Sequence, residues 1–498
     1  MIPCEMCSGK ELKNHSGKAG KTMKKNSDRQ AVNPYLPSWE YVPDAEPHLF
    51  EGRLYIYGSH DRFNGYAYCQ NDYVCWSASP EDLADWRYEG VIYKRTDDPR
   101  NRDGDSCLYA PDAARGPDGR YYLFYVLDAE PVISVAVSGS PAGTYEFYGY
   151  VRDKDGRILG ERPGDDAQFD PAVLVDGDRI WLYSGYCGMY NPERKGPMVM
   201  ELGPDMLTVL REPETLIPSA PYSQGTGFEG HAFFEASSMR KIRDRYYFIY
   251  SSEQKHELCY AVSSMPDRGF SYGGVIVSNC DRGIGSYKPA EFTTAYGGNN
   301  HGSLIELDGR YYIFYHRHTN GMNYCRQGCI EPVEINGEGR IRQAEITTSG
   351  PNGQPLRGEG TYGAYLACSL FCRDVSLLTA PPGSWMDARF PKITQEGRDG
   401  DENPGYIANM RDGAVAGFKY FSCSGIRQIA VTVRGKADGV MEVLTEINGE
   451  PVGRIPLGKS NEWKTYQAAA AIPDGIHSLY FRYTGKGYVS MASFTLTL

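Results

Sequence analysis

No apolar run in this sequence is long enough to cross a bilayer, and its head lacks the apolar core of a secretory signal. These absences set aside membrane spanning and export, and the expectation is a cytoplasmic protein. Basic charge is also scarce: 52 Lys and Arg face 63 Asp and Glu, a net charge of −11, which argues against nucleic acid and other polyanions as partners. The one basic stretch is residues 1–33, with seven Lys or Arg against three acids. It has almost no hydrophobic pattern, so residues 1–32 read as a disordered extension. Paired cysteines are missing too. The thirteen Cys are an odd number, scattered through strand-like runs, which fits reduced thiols rather than a disulfide framework. Cys4 with Cys7, and Cys325 with Cys329, have no second pair at zinc-site spacing, so no structural metal is expected from them.

The chain is rich in tyrosine, with 39 Tyr against 18 Phe in 498 residues. Such a length exceeds what one hydrophobic core usually serves and points to two domains. Five segments repeat an Arg followed by an alternating aromatic and aliphatic run: "EGRLYIYGS" at Arg53, "DGRYYLFYV" at Arg120, "GDRIWLYSG" at Arg179, "RDRYYFIYS" at Arg245 and "DGRYYIFYH" at Arg310. Their intervals are 67, 59, 66 and 65 residues. Turn residues ahead of a short period-2 run signal a hairpin, and each interval has room for four short strands. The chain is therefore expected to be all-β, with a five-bladed β-propeller over residues 33–350.

In a propeller the innermost strands ring a common axis, so equivalent positions converge. Eight to ten residues before each repeated Arg stand Asp44, Asp112, Asp170, Glu235 and His301. Any one of them alone reads as a turn residue capping a hairpin. Four acids and a histidine at one repeated position are different, because like charges held close resist simultaneous ionisation unless chemistry or a cation uses them. Glycosidic bond cleavage uses them: one carboxyl protonates the leaving oxygen, another activates water or attacks the sugar, and a third can raise the acid's pKa.

The segments "NPYLPSWEYVPDAEPHLFEGRLYIYGSHD", "YAPDAARGPDGRYYLFY", "FDPAVLVDGDRIWLYSG", "FEASSMRKIRDRYYFIYSSE" and "NNHGSLIELDGRYYIFYHRH" resemble, in order, the blades of glycoside hydrolase family 43. The resemblance implies an inverting glycosidase, read as exo-acting, that hydrolyses β-D-xylosides and/or α-L-arabinofuranosides of hemicellulose-derived oligosaccharides. It implies Asp44 as general base, Asp170 as the residue that tunes and orients the acid, and Glu235 as general acid. It also implies His301 on the axis, where members hold calcium or another ion through water, and no cofactor for the chemistry itself. An endo-arabinanase of the same family and a non-catalytic glycan-binding propeller stand as alternatives. The related retaining propellers that cleave fructosides carry Arg before the middle Asp and Cys after the acid, where this chain has Phe169 and Ala236.

Two positions depart from the family pattern. Asp44 is followed by Ala45 rather than Pro, with Glu46-Pro47 two residues later. Glu46 competes for the base role, but its register places it one layer further along the channel. Asp112 stands where relatives carry His and is assigned to substrate hydroxyls. "CRQGCIEPVEI" resembles the stretch with a substrate-contacting arginine, which assigns Arg326 to sugar or to a structural ion pair. His60 and Asp61 are placed at the pocket rim, with a satisfied core histidine as the other reading of His60, and Tyr109 and Phe233 are candidates for its walls, beside the reading in which they are strand core.

After residue 350 the pattern changes. "TSGPNGQPLRGEGTY" reads as a boundary, so residues 351–375 are taken as linker and the start of a second domain. Residues 376–498 are read as a jelly-roll β-sandwich. "GFKYF" and "GIHSLYFRYTG" resemble carbohydrate-binding module family 6. Tyr406 and Trp463 are the candidates there for stacking on sugar, beside the reading in which the sandwich only packs on the propeller.

Overall fold

The computed structural model describes residues 29–128, 130–188, 192–372 and 390–498. Most of the basic head, with Cys4 and Cys7, lies outside the described residues, as does 373–389 at the expected start of the sandwich. Ala31–Leu498 form one compact unit. Among the described residues no helix is long and apolar enough to cross a membrane.

Five antiparallel sheets follow one another along the chain. The first holds β1 (Glu46–Phe50), β2 (Arg53–Tyr57), β3 (Tyr73–Ser79) and β4 (Asp82–Tyr93). The second holds β5 (Asp112–Arg115), β6 (Tyr121–Tyr125), β7 (Ser134–Ser138) and β8 (Glu146–Tyr150). The third holds β9 (Ala172–Asp176), β10 (Arg179–Ser184), β11 (Met198–Leu202) and β12 (Val209–Thr215). The fourth holds β13 (Phe233–Ile242), β14 (Arg245–Ser252), β15 (Glu257–Ser263) and β16 (Ser271–Ser278), and the fifth β17 (Leu304–Leu307), β18 (Arg310–His318) and β19 (Arg326–Val333). The first strands touch in the order β1, β5, β9, β13, β17 and back to β1, so the ring closes with five blades as expected. Each repeated Arg opens, or immediately precedes, the second strand of a blade. Glu51-Gly52 and Asp308-Gly309 make two-residue hairpin loops with φ of 52°, 77°, 50° and 77°, the doubly left-handed turn that suits strand twist.

The alternating runs explain the ring. On β10, Ile180 and Leu182 pack with Tyr122 and Phe124 of the second blade, while Trp181 and Tyr183 pack with Phe248 and Tyr250 of the fourth. On β2, Leu54 and Ile56 face the fifth blade, and Tyr55 and Tyr57 the second. Each period-2 strand thus buries both faces, one against each neighbour, which is why "YYLFY" on β6 is buried throughout. The fifth sheet has three strands, and the N-terminal segment lies along it. The Tyr35 N–H reaches the Gly328 carbonyl at 3.4 Å, and the Asn33 side chain bonds Ile330 and Glu331.

The remaining strands form two six-stranded sheets, Leu356–Arg357, Ser369–Cys372, Ala414–Cys423, Asp438–Leu444, Gly453–Leu457 and Gly475–Lys486 in one, and Gly360–Gly363, Lys392–Thr394, Tyr406–Met410, Gln428–Gly435, Ser460–Ala469 and Val489–Thr497 in the other. An apolar core around Phe418, Phe421, Phe481 and Phe494 lies between them. The sandwich is fixed to the propeller by buried polar contacts. Lys419 Nζ lies 2.9 Å from Asp281, 2.8 Å from Glu345 and 3.9 Å from the Tyr287 ring centroid. Arg317 donates to the carbonyls of Tyr365 and Ala367 at 2.7 and 2.9 Å.

Candidate active site

Asp44, Asp170 and Glu235 line one cavity of about 490 Å³, a size suited to a small ligand. Asp44 and Asp170 precede the inner strands β1 and β9 at φ of 56° and 45°. These left-handed conformations cost non-glycine residues on the order of 1–3 kcal/mol each and gather where function requires them. Glu235 lies within β13 at a break in pairing, with register shifts on both sides of it and Ala236 at φ 68°. The bulge re-aims the strand, so Glu235 and Phe234 reach the cavity while Phe233 packs in the core between the third and fourth blades. The wall expected at Phe233 is therefore corrected to Phe234. Tyr109 lines the cavity as expected.

Burial and neighbouring charges shift the three carboxyls in opposite directions, Asp44 down and Glu235 and Asp170 up. Burial alone would raise Asp44, but Arg326 and His316 outweigh it and hold the carboxyl well below the usual range. Arg326 Nη1 donates to both Asp44 oxygens at 2.8 and 3.0 Å. Burial pushes Glu235 up to about 7, helped by the charge of Asp44 and opposed by Arg326 and Lys255. Asp170 is raised by burial and then by Glu235 and Asp44. Its Oδ2 accepts the Ala236 N–H at 2.9 Å, tying it to the bulge that carries the acid.

Arg326 lines the cavity, yet most of its donors are spent on protein. Beyond Asp44, its Nε and Nη2 bond Asp61 at 2.8 and 2.9 Å, and its guanidinium lies 4.9 Å from the Tyr68 ring centroid. The ion-pair reading accounts for the contacts seen. Asp61 is buried behind Arg326 rather than at the rim.

For His60 the core reading holds, and Asp112 does not reach the cavity wall. His60 is absent from the cavity wall: its Nδ1 meets the Asp72 carbonyl and its Nε2 the Glu40 carboxylate, both at 2.9 Å. Asp112 is fully buried beneath the site, with His48 Nε2 at 2.6 Å and the Val173 N–H at 2.8 Å. It stands eight residues before its Arg, against nine for Asp44 and Asp170, and a one-residue slip turns a strand side chain to the other face. Glu235, at ten, is restored by its bulge; β5 pairs regularly and has none.

Below the site Glu46 approaches the axis, bonded to Arg240 and, at 3.1 Å, to Ser238. Its Oε1 and the His301 Nε2 lie 3.8 Å apart, both buried without a hydrogen-bond partner. His301 also places Nδ1 3.8 Å from Asp170, and burial pulls its pKa down to about 4. An orphan carboxylate oxygen facing a neutral imidazole fits an oxygen-preferring cation or its bound water. Ligand atoms of Glu46, His48 and Asp112 also lie within 4.8 Å of one another.

Several wall residues carried no sequence signal. Tyr68, Phe169, Tyr186 and Asn323 lie in loops, and Lys255 sits in a tight turn at φ 66° with its Nζ 5.1 Å from the Phe234 ring centroid. Only the β14–β15 hairpin, once paired, brings that cation to the acid.

Residues 40–341 match the family model for glycosyl hydrolases family 43. The chain belongs to this family. A xylosidase/arabinosidase of Thermoclostridium stercorarium is 62% identical over 468 residues, covering 94% of this chain and 99% of the relative. Among solved structures, an arabinoxylan arabinofuranohydrolase from Bacillus subtilis in complex with cellotetraose superposes with a TM-score of 0.50 at 21% identity, covering 93% of this chain and 97% of that one. That likeness of fold takes in both propeller and sandwich. A GH43_1 enzyme from Xanthomonas citri complexed with xylose reaches 0.52 at 24% identity, over 66% and 96% of the two chains. This family 43 hydrolase is thus a glycoside hydrolase built as a five-bladed propeller with a β-sandwich appended.

Proposed function

We propose that this hydrolase is an inverting, exo-acting glycosidase that releases xylose or arabinose from hemicellulose-derived oligosaccharides. The observation that carries the reading is three carboxyls in one cavity, Asp44 held low by Arg326 while burial and the charge of Asp44 raise Glu235. Glu235, raised to about 7, holds the proton that the leaving oxygen needs. Asp44, kept ionised by Arg326, takes a proton from the attacking water. Asp170, bonded to Ala236, fixes the bulge behind Glu235 and so orients the acid. The sugar class is supported by the xylosidase/arabinosidase of Thermoclostridium stercorarium, at 62% identity.

The chemistry needs no cofactor: acid, base and tuning group are all side chains. A calcium ion on the axis would be held by Glu46 and His301, directly or through water, and would neutralise the Glu46 carboxyl, which burial otherwise raises to about 8. Among the described residues eleven cysteines stand as free thiols, nine of them buried, which supports a reducing compartment, the cytoplasm.

The test is release of 4-nitrophenol from the β-D-xylopyranoside and the α-L-arabinofuranoside, with Glu235→Ala as control. Turnover that vanishes in the variant supports the reading and ranks the two sugars. Silence on both substrates would move the reading to endo-action or to glycan binding alone. The anomer first released, followed by proton NMR, tests inversion.

A further inference from the structure

Two loops build one side of the cavity wall, and neither is held by its own blade alone. The β2–β3 loop, residues 58–72, carries Tyr68 and Cys69, and the β18–β19 loop carries Asn323 and leads into Arg326. Tyr68 stands between them, edge to face with Tyr324 at 4.8 Å and with its ring centroid 4.9 Å from the Arg326 guanidinium. A third segment, from the sandwich, grips both loops. In the connection between the sandwich strands Lys392–Thr394 and Tyr406–Met410, Asp399 Oδ1 accepts the Phe63 N–H at 2.7 Å and Oδ2 accepts the Asn71 side-chain amide at 3.0 Å. The same Asn71 amide donates to the Asp61 carbonyl at 3.1 Å, and Asp61 is the carboxylate that pairs with Arg326. On the second loop, Asn320 donates its backbone N–H to the Ile393 carbonyl at 2.6 Å, accepts the Thr394 hydroxyl at 2.8 Å and donates its side-chain amide to Asn64 at 2.7 Å.

We propose that Asp399 is a positioning residue for the glycosidase reaction: through this carboxylate the sandwich holds the β2–β3 loop in the conformation that sets Tyr68 against the bound sugar. This rests on the reading of the cavity as the site of glycoside hydrolysis. Phe63 and Asn71 bracket the stretch that carries Tyr68 and Cys69, so one side chain fixes both of its ends. Long connections of this kind take their position from what they pack against. Bonds inside the loop, from the Tyr66 N–H to Gln70 at 2.8 Å and from the Cys69 N–H to Asp61 at 3.0 Å, give it shape. Asp399 anchors it from outside, and a carboxylate accepting two N–H groups bonds more strongly than a neutral acceptor. The other polar links between the modules lie elsewhere: Lys419 meets Asp281, and Arg317 meets Tyr365 and Ala367, none of which lines the cavity. The second module therefore completes the wall of the first.

In the full chain, Asp399→Ala should raise KM on the preferred aryl glycoside on the order of 5- to 20-fold and change kcat by less than about threefold, because a displaced wall weakens ground-state and transition-state binding alike. Asp399→Asn keeps one oxygen acceptor and should give an intermediate KM. Lys419→Ala is the control for a loosened contact between modules: it should cost more stability in denaturant unfolding than Asp399→Ala and leave KM unchanged. If the KM values follow the losses of stability, or if Asp399→Ala keeps the wild-type KM, Asp399 only packs the modules together and the proposal is overturned. A double-mutant cycle with Asn71→Ala is the second measurement. The two variants share one bond, so their effects on KM should fall well short of additive; additive effects would overturn the clamp. Dissociation constants for free xylose and arabinose, read by calorimetry on the same chains, need no turnover. They should weaken in Asp399→Ala, and unchanged constants overturn the clamp, whereas a wild-type chain that binds sugar without turnover overturns the glycosidase reading instead.

Discussion

Glu235 in the propeller and Glu442 in the sandwich are both acids withdrawn from bulk water, and they are treated in opposite ways. Glu442 is met by Arg454 at 2.6 Å and Arg482 at 2.7 Å. Among the described residues nothing donates a hydrogen bond to the Glu235 carboxyl, and its cationic neighbours, Arg326 and Lys255, act on it only through space. In the sandwich this buried carboxylate is paired. In a module that must deliver a proton, pairing would keep the group ionised and useless as an acid. The same contrast holds between Lys419, whose charge is matched by Asp281 and Glu345 to join the modules, and Lys255, which stands at the cavity beside Phe234.

The sharpest way to break the comparison is to remove the acids in turn. Glu235→Ala should lower kcat on an aryl glycoside by on the order of 10²- to 10⁴-fold with the folded state intact, whereas Glu442→Ala should leave kcat unchanged and lower stability. Equal kcat losses from both would erase the distinction.

Next in size is Lys419→Ala, which leaves Asp281 buried without its cation and should cost about 3–5 kcal/mol in denaturant unfolding. The pH–rate profile of the refolded enzyme should not move; a shifted profile would mean that the interface charges reach the active site.

The pH profile itself sharpens the contrast. An acid catalyst works only while protonated, so kcat/KM should fall as pH rises through about 7, the value to which burial and Asp44 push Glu235. The Lys255 charge opposes that rise. Lys255→Ala should therefore move the alkaline limb to higher pH, and a move to lower pH would refute the assignment of Glu235 to that limb.

The smallest effect is expected on the outer face of the sandwich. Tyr406 and Trp463 meet edge to face at 5.4 Å, and Arg434 lies over both rings, 4.3 Å from the Trp463 centroid. Trp463→Ala should leave turnover of a small aryl glycoside unchanged. If this pair stacks on sugar, affinity electrophoresis in arabinoxylan should show weaker retardation of the variant; equal retardation would return the pair to a packing role.

The five-bladed ring was legible because it is written in local chemistry. A turn, an Arg and a period-2 run recur at near-constant spacing, and alternation on β2, β10 and β18 sorts side chains between two neighbouring blades. Asp44, Asp170 and Glu235 could be found because inner-strand positions recur with that period. Counting could not tell Glu235 from Asp112, one residue off in opposite directions. A bulge corrects the first and is absent from the second, and a bulge is a property of paired strands. His60 failed for a related reason: its neighbours Glu40 and Asp72 are set by how the loops fold over the first blade.

The sequence by itself determined the repeat, the closed all-β ring, the second module and the presence of three acids at equivalent positions, since hydrophobic period and turn chemistry act within a few residues. Tertiary structure alone decided which acid keeps its proton. Protonation depends on what burial removes and which cations come near, and Arg326 and His316 reach Asp44 from more than 250 positions away in the chain. It likewise decided that His316 stands 3.2 Å from Asp44, because the two meet only when the fifth blade closes against the first.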